Sequence, residues 1–248
     1  MIELLKPDWP VPSHVRSVIT TRRGGVSQGA FDSFNLADHV GDDEAAVRQN
    51  RQRLVARCRL PGEPFWLRQV HGCEVADSGK DQPGCSADAV YSARPGVVCA
   101  VLTADCLPLL LTDRHGREVC AVHAGWRGLA AGVIERALSR LQAPAESLLA
   151  WMGPAIGASA FEVGDEVRQA FVAGAGEDAS AFVPGNAGRW WADIYLLARL
   201  RLMRAGVGFI GGGDYCTVTD RERFYSYRRD GVTGRMASLI WLERHPES

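Results

Sequence analysis

Two apolar runs, VLTADCLPLLL from Val101 and VCAVHA from Val119, stand on either side of Asp113-Arg114-His115-Gly116, and no other stretch constrains the fold as strongly. Asp first and Gly last suit a tight turn, so Val101 to Gly128 reads as a hairpin. A turn centred there sets Thr112 opposite Arg117 and, counting outward in step, Cys106 opposite His123. Opposed side chains share a face, with Cβ atoms roughly 4.5–5.5 Å apart. That spacing suits two ligands of one metal ion, because a thiolate sulfur sits about 2.3 Å and an imidazole nitrogen about 2.0 Å from zinc. Pro108 has no N–H to give, so the first strand is expected at a sheet edge or bulged near its start.

Strand-like and helix-like segments alternate around this hairpin. Ser17–Arg22, Phe65–Val70, Ala87–Ser92 and Leu148–Met152 read as strands, and Asp42-Asp43 opens a helix whose Val47, Leu54 and Cys58 share a stripe. Arg127–Ala143 shows the clearest helical period, with Ala130, Val133, Ile134, Ala137, Leu138 and Leu141 on one face. Glu162–Gly174 and Asp193–Gly206 read as two further amphipathic helices. FYSYRRD and RMASLIWLER read as closing strands around a turn at Gly231. No linker, composition break or repeat divides the 248 residues, which implies one α/β domain over 1–248.

A net charge of −1 gives no electrostatic reason to expect nucleic acid or an anionic membrane as partner. The N-terminal MIELLKPDWPVPSH lacks a basic start and apolar core, and no run reaches the roughly 18 apolar residues of a membrane span. Seven cysteines with no CxxC pair fit a reducing compartment, so a soluble cytoplasmic protein is expected. Gly25-Val26-Ser27-Gln28-Gly29 matches GxSxG and Gly206, Gly208 and Gly211 match GxGxxG. Neither is followed by the helix that its motif requires.

A catalytic metal on Cys106 and His123 needs a third ligand. His115 lies at the far end of the hairpin and His14 and His245 near the termini, which leaves His39 in a long polar loop and His71 at the end of LRQVHG, the better placed of the two. Three protein ligands leave a fourth position for water or substrate, the arrangement of a catalytic rather than a structural zinc.

RQVHG (Arg68–Gly72), ADAVYS (Ala87–Ser92), TADCLPLLL (Thr103–Leu111), AVHAGWRGL (Ala121–Leu129), GPAIG (Gly153–Gly157) and FEVGDEV (Phe161–Val167) resemble the YfiH family, also called the laccase-domain, polyphenol-oxidase-like or peptidoglycan-editing-factor family. TTRRGGVS from Thr20 and FYSYRRDGVTGRMASLIWL from Phe224 extend the resemblance over nearly the whole chain. It implies a zinc site on His71, Cys106 and His123, with copper as the alternative metal. It also implies a layered α/β (α+β) sandwich with mixed sheets, related to the cysteine-hydrolase domain of cytotoxic necrotizing factors. The activities it implies are phosphorolysis of adenosine, inosine or methylthioadenosine and deamination of adenosine; other members are described as peptidoglycan-editing factors or copper polyphenol oxidases.

Phosphorolysis needs a cation for phosphate, and Arg22, Arg228 and Arg229 are the candidates because guanidinium forks match phosphate geometry. Deamination needs an activated water, which zinc supplies by lowering its pKa to about 7. Multicopper oxidation needs more ligands than six histidines, half of them remote from these motifs, provide. Two alternatives differ in kind: a cysteine hydrolase with Cys106 as nucleophile and His123 as base, removing a wrongly incorporated amino acid from a muramic-acid precursor, and a zinc-stapled binding module without catalysis. Trp126 and Arg127 suit either a substrate contact or a fold element. The expected partners are a purine nucleoside and phosphate, with a monomer favoured.

Overall fold

The computed structural model describes residues 1–244, so His245 lies outside the described residues. The first third holds β1 (Leu4–Leu5), β2 (Val15–Thr20), α1 (Glu44–Cys58), β3 (Val75–Asp77), β4 (Ala89–Ser92) and β5 (Val98–Thr103). The centre holds β6 (Leu107–Asp113), β7 (Val119–Ala124), α2 (Trp126–Ala130), α3 (Val133–Arg140) and β8 (Leu148–Met152). Then come β9 (Glu162–Gly164), α4 (Asp165–Val172), β10 (Phe182–Pro184), β11 (Arg189–Ala192) and α5 (Ile194–Arg204). Last are β12 (Phe209–Gly212), α6 (Tyr227–Asp230) and β13 (Met236–Leu242). No helix among the described residues is long and apolar enough to cross a membrane, and all seven cysteines are free thiols.

The fold is the mixed α/β sandwich that the sequence implies. A six-stranded sheet runs β12-β8-β6-β7-β4-β3, parallel at both edges and antiparallel within. A four-stranded antiparallel sheet, β1-β2-β13-β5, packs on one of its faces, and β10-β11-β9 form a small third sheet. Strand parity builds the layers, since successive side chains point to opposite faces. Leu107, Leu109 and Leu111 with Cys120 and Val122 pack beneath α3 and α5. Leu110, Val119 and Ala121 instead meet Cys99, Val101, Ile19 and Ile240 of the other sheet. The outer face of that second sheet is covered by Leu54 of α1 with Phe34 and Leu36. Strands β5, β6, β7 and β13 are therefore buried along their whole lengths.

Several local readings need correction. The first apolar run is two strands of different sheets, because β5 ends at Thr103 and pairs with β13, while β6 begins at Leu107. The hairpin of β6 and β7 pairs Thr112 with Val119 and Pro108 with His123, a displacement of two residues from the tight-turn register. The connection is longer because the Asp113 carboxylate organises it, accepting from the amides of His115 at 3.2 Å and Arg117 at 2.6 Å. Cys106 is thus diagonal to His123 rather than opposite, and a shift of two preserves the face.

Pro108 sits inside the six-stranded sheet, neither at an edge nor in a bulge. Its missing donor costs nothing there: the His123 N–H turns away to the Asp88 carbonyl, and pairing with β8 begins only at Leu109. The long helix at Arg127–Ala143 is two helices, broken at Gly132, whose φ is 93°. Glu162–Gly164 is β9, so the helix begins at Asp165. Phe65–Val70 is extended but joins the sheets only by bridges at Phe65 and Arg68. In FYSYRRD the last four residues form α6 rather than strand, with Ser226 capping the Arg229 N–H at 3.2 Å.

Candidate metal centre and cleft

The inter-sheet face of the hairpin ends at Cys106 and His123. A third chain segment is brought to it by amide chemistry. Gln69 mimics a strand neighbour, its side-chain amide giving to the Leu102 carbonyl and taking from the Leu102 N–H, both at 2.8 Å. The fully buried Asp88 carboxylate then accepts three successive N–H groups, from Val70 at 3.2 Å, His71 at 2.9 Å and Gly72 at 2.7 Å. This wraps the chain tightly around Asp88 and leaves His71 at φ 60°, a left-handed conformation that few side chains adopt. Helix α2 closes on the wrap so tightly that a Cβ on Gly128 would lie 2.5 Å from the Gly72 carbonyl.

Asp88 also fixes His123. Its Oδ1 lies 2.8 Å from Nδ1 of the buried imidazole, which directs Nε2 toward Cys106. One carboxylate therefore aims both histidines. The thiol is aimed from below by Asp105, at φ 88°, whose carboxylate accepts from Thr217 Oγ1 at 2.5 Å and from the Arg228 N–H at 2.6 Å. The result is a compact triad: His71 Nε2 lies 4.0 Å from Cys106 Sγ, and the two imidazoles stand edge to face with centroids 4.9 Å apart.

Burial alone pushes the Cys106 thiol up, yet the charge and hydrogen bond of His123, with His71 adding to them, draw it down to about 6. Burial likewise opposes an imidazolium at His123, but the facing sulfur and Asp88 raise it to about 9. Burial also works against the Asp88 carboxylate, and the His123 contact and the amides of Gly72 and Val70 hold it below its usual range. The sulfur is thus poised as thiolate, the form that binds metal.

The donor set fits a metal ion. His71, Cys106 and His123 each offer one ligand atom within 4.8 Å of the others, and two nitrogens with one thiolate suit zinc or a soft copper ion. A carboxylate behind a ligating histidine is the usual outer partner of such sites. The residue after β7 keeps the space clear: a Cβ on Gly125 would come within 3.0 Å of Cys106 Sγ and 3.2 Å of His71 Cδ2. Among the described residues this is one group of three such ligands, and His39 is not part of it.

Two cavities meet at the triad, sharing His71, Ala104, Cys106 and Tyr227. One, of about 290 Å³, is walled by Trp126, Ile156, Phe161, Ile194, Arg127 and Arg228. The other, of about 450 Å³, is walled by His39, Gln69, Thr103 and Arg235. Arg127 stacks on Trp126 with Cζ 4.5 Å from the ring centroid, so both residues face the cleft.

Of the three arginines picked out in the sequence, Arg228 lines the first cavity, and its Nη1 donates to the Glu162 carbonyl at 2.9 Å. The other two line neither cavity. Arg22 is turned to the carbonyls of Asp32 and Arg221 and lies over Tyr225. Arg229 is held by the carbonyls of Thr217, Val218 and Phe224 and by Asp230. Sequence reasoning passed over Asp88 and Arg235. Asp88 stood in plain view, an isolated acid opening the apolar run of ADAVYS, and a buried acid demands partners. Nothing in the sequence distinguished Arg235 from its neighbours.

The family model described as multi-copper polyphenol oxidoreductase laccase matches residues 16–243. A purine nucleoside phosphorylase of Pseudomonas aeruginosa is 57% identical over 96% of this chain and 98% of its own length. The purine nucleoside phosphorylase YfiH of Escherichia coli is 53% identical over 98% of this chain and its own entire length. Among solved structures, a Neisseria meningitidis protein superposes with a TM-score of 0.93 at 49% identity, covering 97% of this chain and 99% of that one. The Bacillus licheniformis protein YfiH superposes with a TM-score of 0.86 at 30% identity, covering 92% and 93%.

Proposed function

This chain belongs to the family described as multi-copper polyphenol oxidoreductase laccase, and from that membership and its cleft we propose that it is a zinc-dependent purine nucleoside phosphorylase. It would split adenosine, inosine or methylthioadenosine into free base and the ribose or methylthioribose 1-phosphate, and also deaminate adenosine. Relatives bearing the name purine nucleoside phosphorylase over essentially their full lengths support the phosphorolytic reading.

The observation that carries it is the pair of unlike cavities meeting at His71 and Cys106 of the triad. Trp126, Phe161 and Tyr227 offer flat apolar surface for a purine ring, with the guanidiniums of Arg127 and Arg228 beside it. The second cavity presents the guanidinium of Arg235 with the polar side chains of His39, Gln69 and Thr103, a cation and donors of the kind that phosphate requires. In phosphorolysis a phosphate oxygen forms a bond to C1′ as the glycosidic C–N bond breaks, and the electron pair leaves on the base, which takes up a proton. The chain's own work is to hold two substrates in line and keep water from competing. A divalent ion on the triad, when bound, supplies Lewis acidity for a substrate oxygen or a water. Asp88 holds both histidines in place for it. Multicopper oxidation is disfavoured, since the described residues gather one three-ligand group where coupled oxygen reduction needs several ions.

The test is to incubate the zinc-loaded protein with adenosine, with and without phosphate, and identify products by mass. Adenine and ribose 1-phosphate appearing only with phosphate support phosphorolysis, and inosine marks deamination. Formation of none of these overturns the reading.

A second reading draws on one specific observation. Cys106, His123 and Asp88 stand in the order nucleophile, base, orienter, as in a cysteine hydrolase. Such an enzyme would cleave the amide of a wrongly incorporated amino acid in a muramic-acid precursor. It gives His71 no task, although Asp88 holds that residue in place as well. Chelation separates the two: it lowers turnover in the metal reading and raises it in the hydrolase reading.

A further inference from the structure

Arg235, just before β13, is half-buried in the wall of the second cavity. Its Nη1 donates to the carbonyls of Thr233 at 2.8 Å and Gly234 at 3.0 Å, its backbone N–H donates to Asn35 Oδ1 at 2.9 Å, and the Tyr227 ring centroid lies 5.9 Å from Cζ. Among the described residues it forms no ion pair, and its Nε and Nη2 have no hydrogen-bond acceptor. Arg51 pairs with Asp38, Arg223 with Asp220 and Arg229 with Asp230, whereas Arg127 and Arg228 of the first cavity share with Arg235 the lack of a carboxylate partner among the described residues.

With no carboxylate beside it, this half-buried guanidinium keeps its Nε–Nη2 edge open to the cavity, where an anion can take the place of water. Burial draws its pKa down, and the groups opposing that are Cys106, Asp105 and Tyr227 at the site itself. Two carbonyls tether Nη1, so the edge left over is Nε with Nη2. That edge carries two parallel N–H donors, the fork that matches two oxygens of one phosphate.

We propose that Arg235 is the phosphate anchor of the cleft, its Nε–Nη2 edge seating inorganic phosphate in the cavity lined by His39 and Thr103 while the aromatic cavity takes the nucleoside. The proposal rests on the phosphorolysis reading and adds which residue holds the co-substrate and from which side it approaches. The two substrates then meet at the residues common to both cavities, His71, Cys106 and Tyr227.

The probe is inorganic phosphate, titrated calorimetrically into the zinc-loaded full chain, with the phosphate KM of adenosine phosphorolysis as a second readout. Arg235→Gln is expected to weaken phosphate at least about tenfold, the scale of one charge-assisted fork. Arg235→Lys, which keeps the charge but not the fork, falls between it and the native protein. Zinc content stays within about twofold of the native protein's, since Arg235 supplies no ligand atom to the triad. Should the Gln variant fail to fold, the Lys variant carries the measurement. Phosphate affinity equal to the native protein's in the folded variants overturns the proposal, as does a native protein that binds no phosphate. Phosphate binding lost in the variants, with no ribose 1-phosphate made by the native protein, keeps the anion site and removes the phosphorolysis reading. Ribose 1-phosphate made by the variants at unchanged phosphate KM does the reverse.

Discussion

Asp88 Oδ1 lies 2.8 Å from His123 Nδ1 and 2.9 Å from the His71 amide, so one buried carboxylate oxygen ties together two residues 52 positions apart. Asp88 is neither a ligand nor a lining residue of the cleft, yet both imidazoles take their positions from it.

Asp88→Asn should therefore weaken zinc by about 10- to 100-fold, the usual effect of losing an outer partner of a ligating histidine. Competition against a chromogenic chelator measures this. Native affinity in a folded Asn variant contradicts the positioning role.

Metal-free protein should alkylate at Cys106 with an unusual pH dependence. The thiol is drawn down to about 6, so the thiolate is already present above that value and is lost only as pH falls through it. The rate with iodoacetamide, followed by peptide mass, should plateau near neutrality instead of climbing through the ordinary thiol range near 8.5. Zinc should suppress the reaction, and His123→Ala should move the midpoint upward. A native midpoint at the ordinary thiol value contradicts the ion-pair reading.

Gly125→Ala places a methyl against the triad without straining the backbone, since φ is −65° there. Crowding of this kind costs about 1–3 kcal/mol. Zinc affinity should fall accordingly while the far-ultraviolet spectrum stays unchanged. Full affinity would mean that the three ligands do not converge on the space in front of Gly125.

Arg22→Ala should destabilise the fold rather than alter substrate use. Two carbonyl contacts and the stack on Tyr225 together account for about 1–3 kcal/mol. A lowered urea midpoint with unchanged phosphate KM is expected; the opposite pattern restores Arg22 to the substrate.

The sequence carries much of this, unevenly. Leu148–Met152 is a strand at the residues that the pattern marks, and Asp43 caps its helix because an acid before a helical stripe has few other uses. The hairpin register is off by two, since residues 114–118 are all compatible with a turn and only the Asp113 contacts decide the loop length. Parity hid that error from the site: Cys106 and His123 share a face in either register. The helix break at Gly132 is hidden for a related reason, because the apolar stripe runs on through Val133 and Ile134. That Arg235 faces the cleft without an acid is set by contacts as distant as the one from Asn35 to Arg235, 200 positions apart, and local pattern holds no trace of them.

The Gln69 clamp on Leu102 has a mechanical corollary. Leu102 belongs to β5 of the four-stranded sheet, whereas Asp88 and His123 belong to the margin of the six-stranded one, and the segment of Gln69 to His71 is bound to both, Gln69 to Leu102 and His71 to Asp88. A metal ion held by His71 together with Cys106 and His123 would therefore act as a rivet across the seam between the sheets. Part of its binding energy becomes adhesion between layers, so loading and stripping the ion should tighten and loosen β5 against β7 well beyond the ligands, visible as slowed and quickened amide hydrogen exchange along that seam.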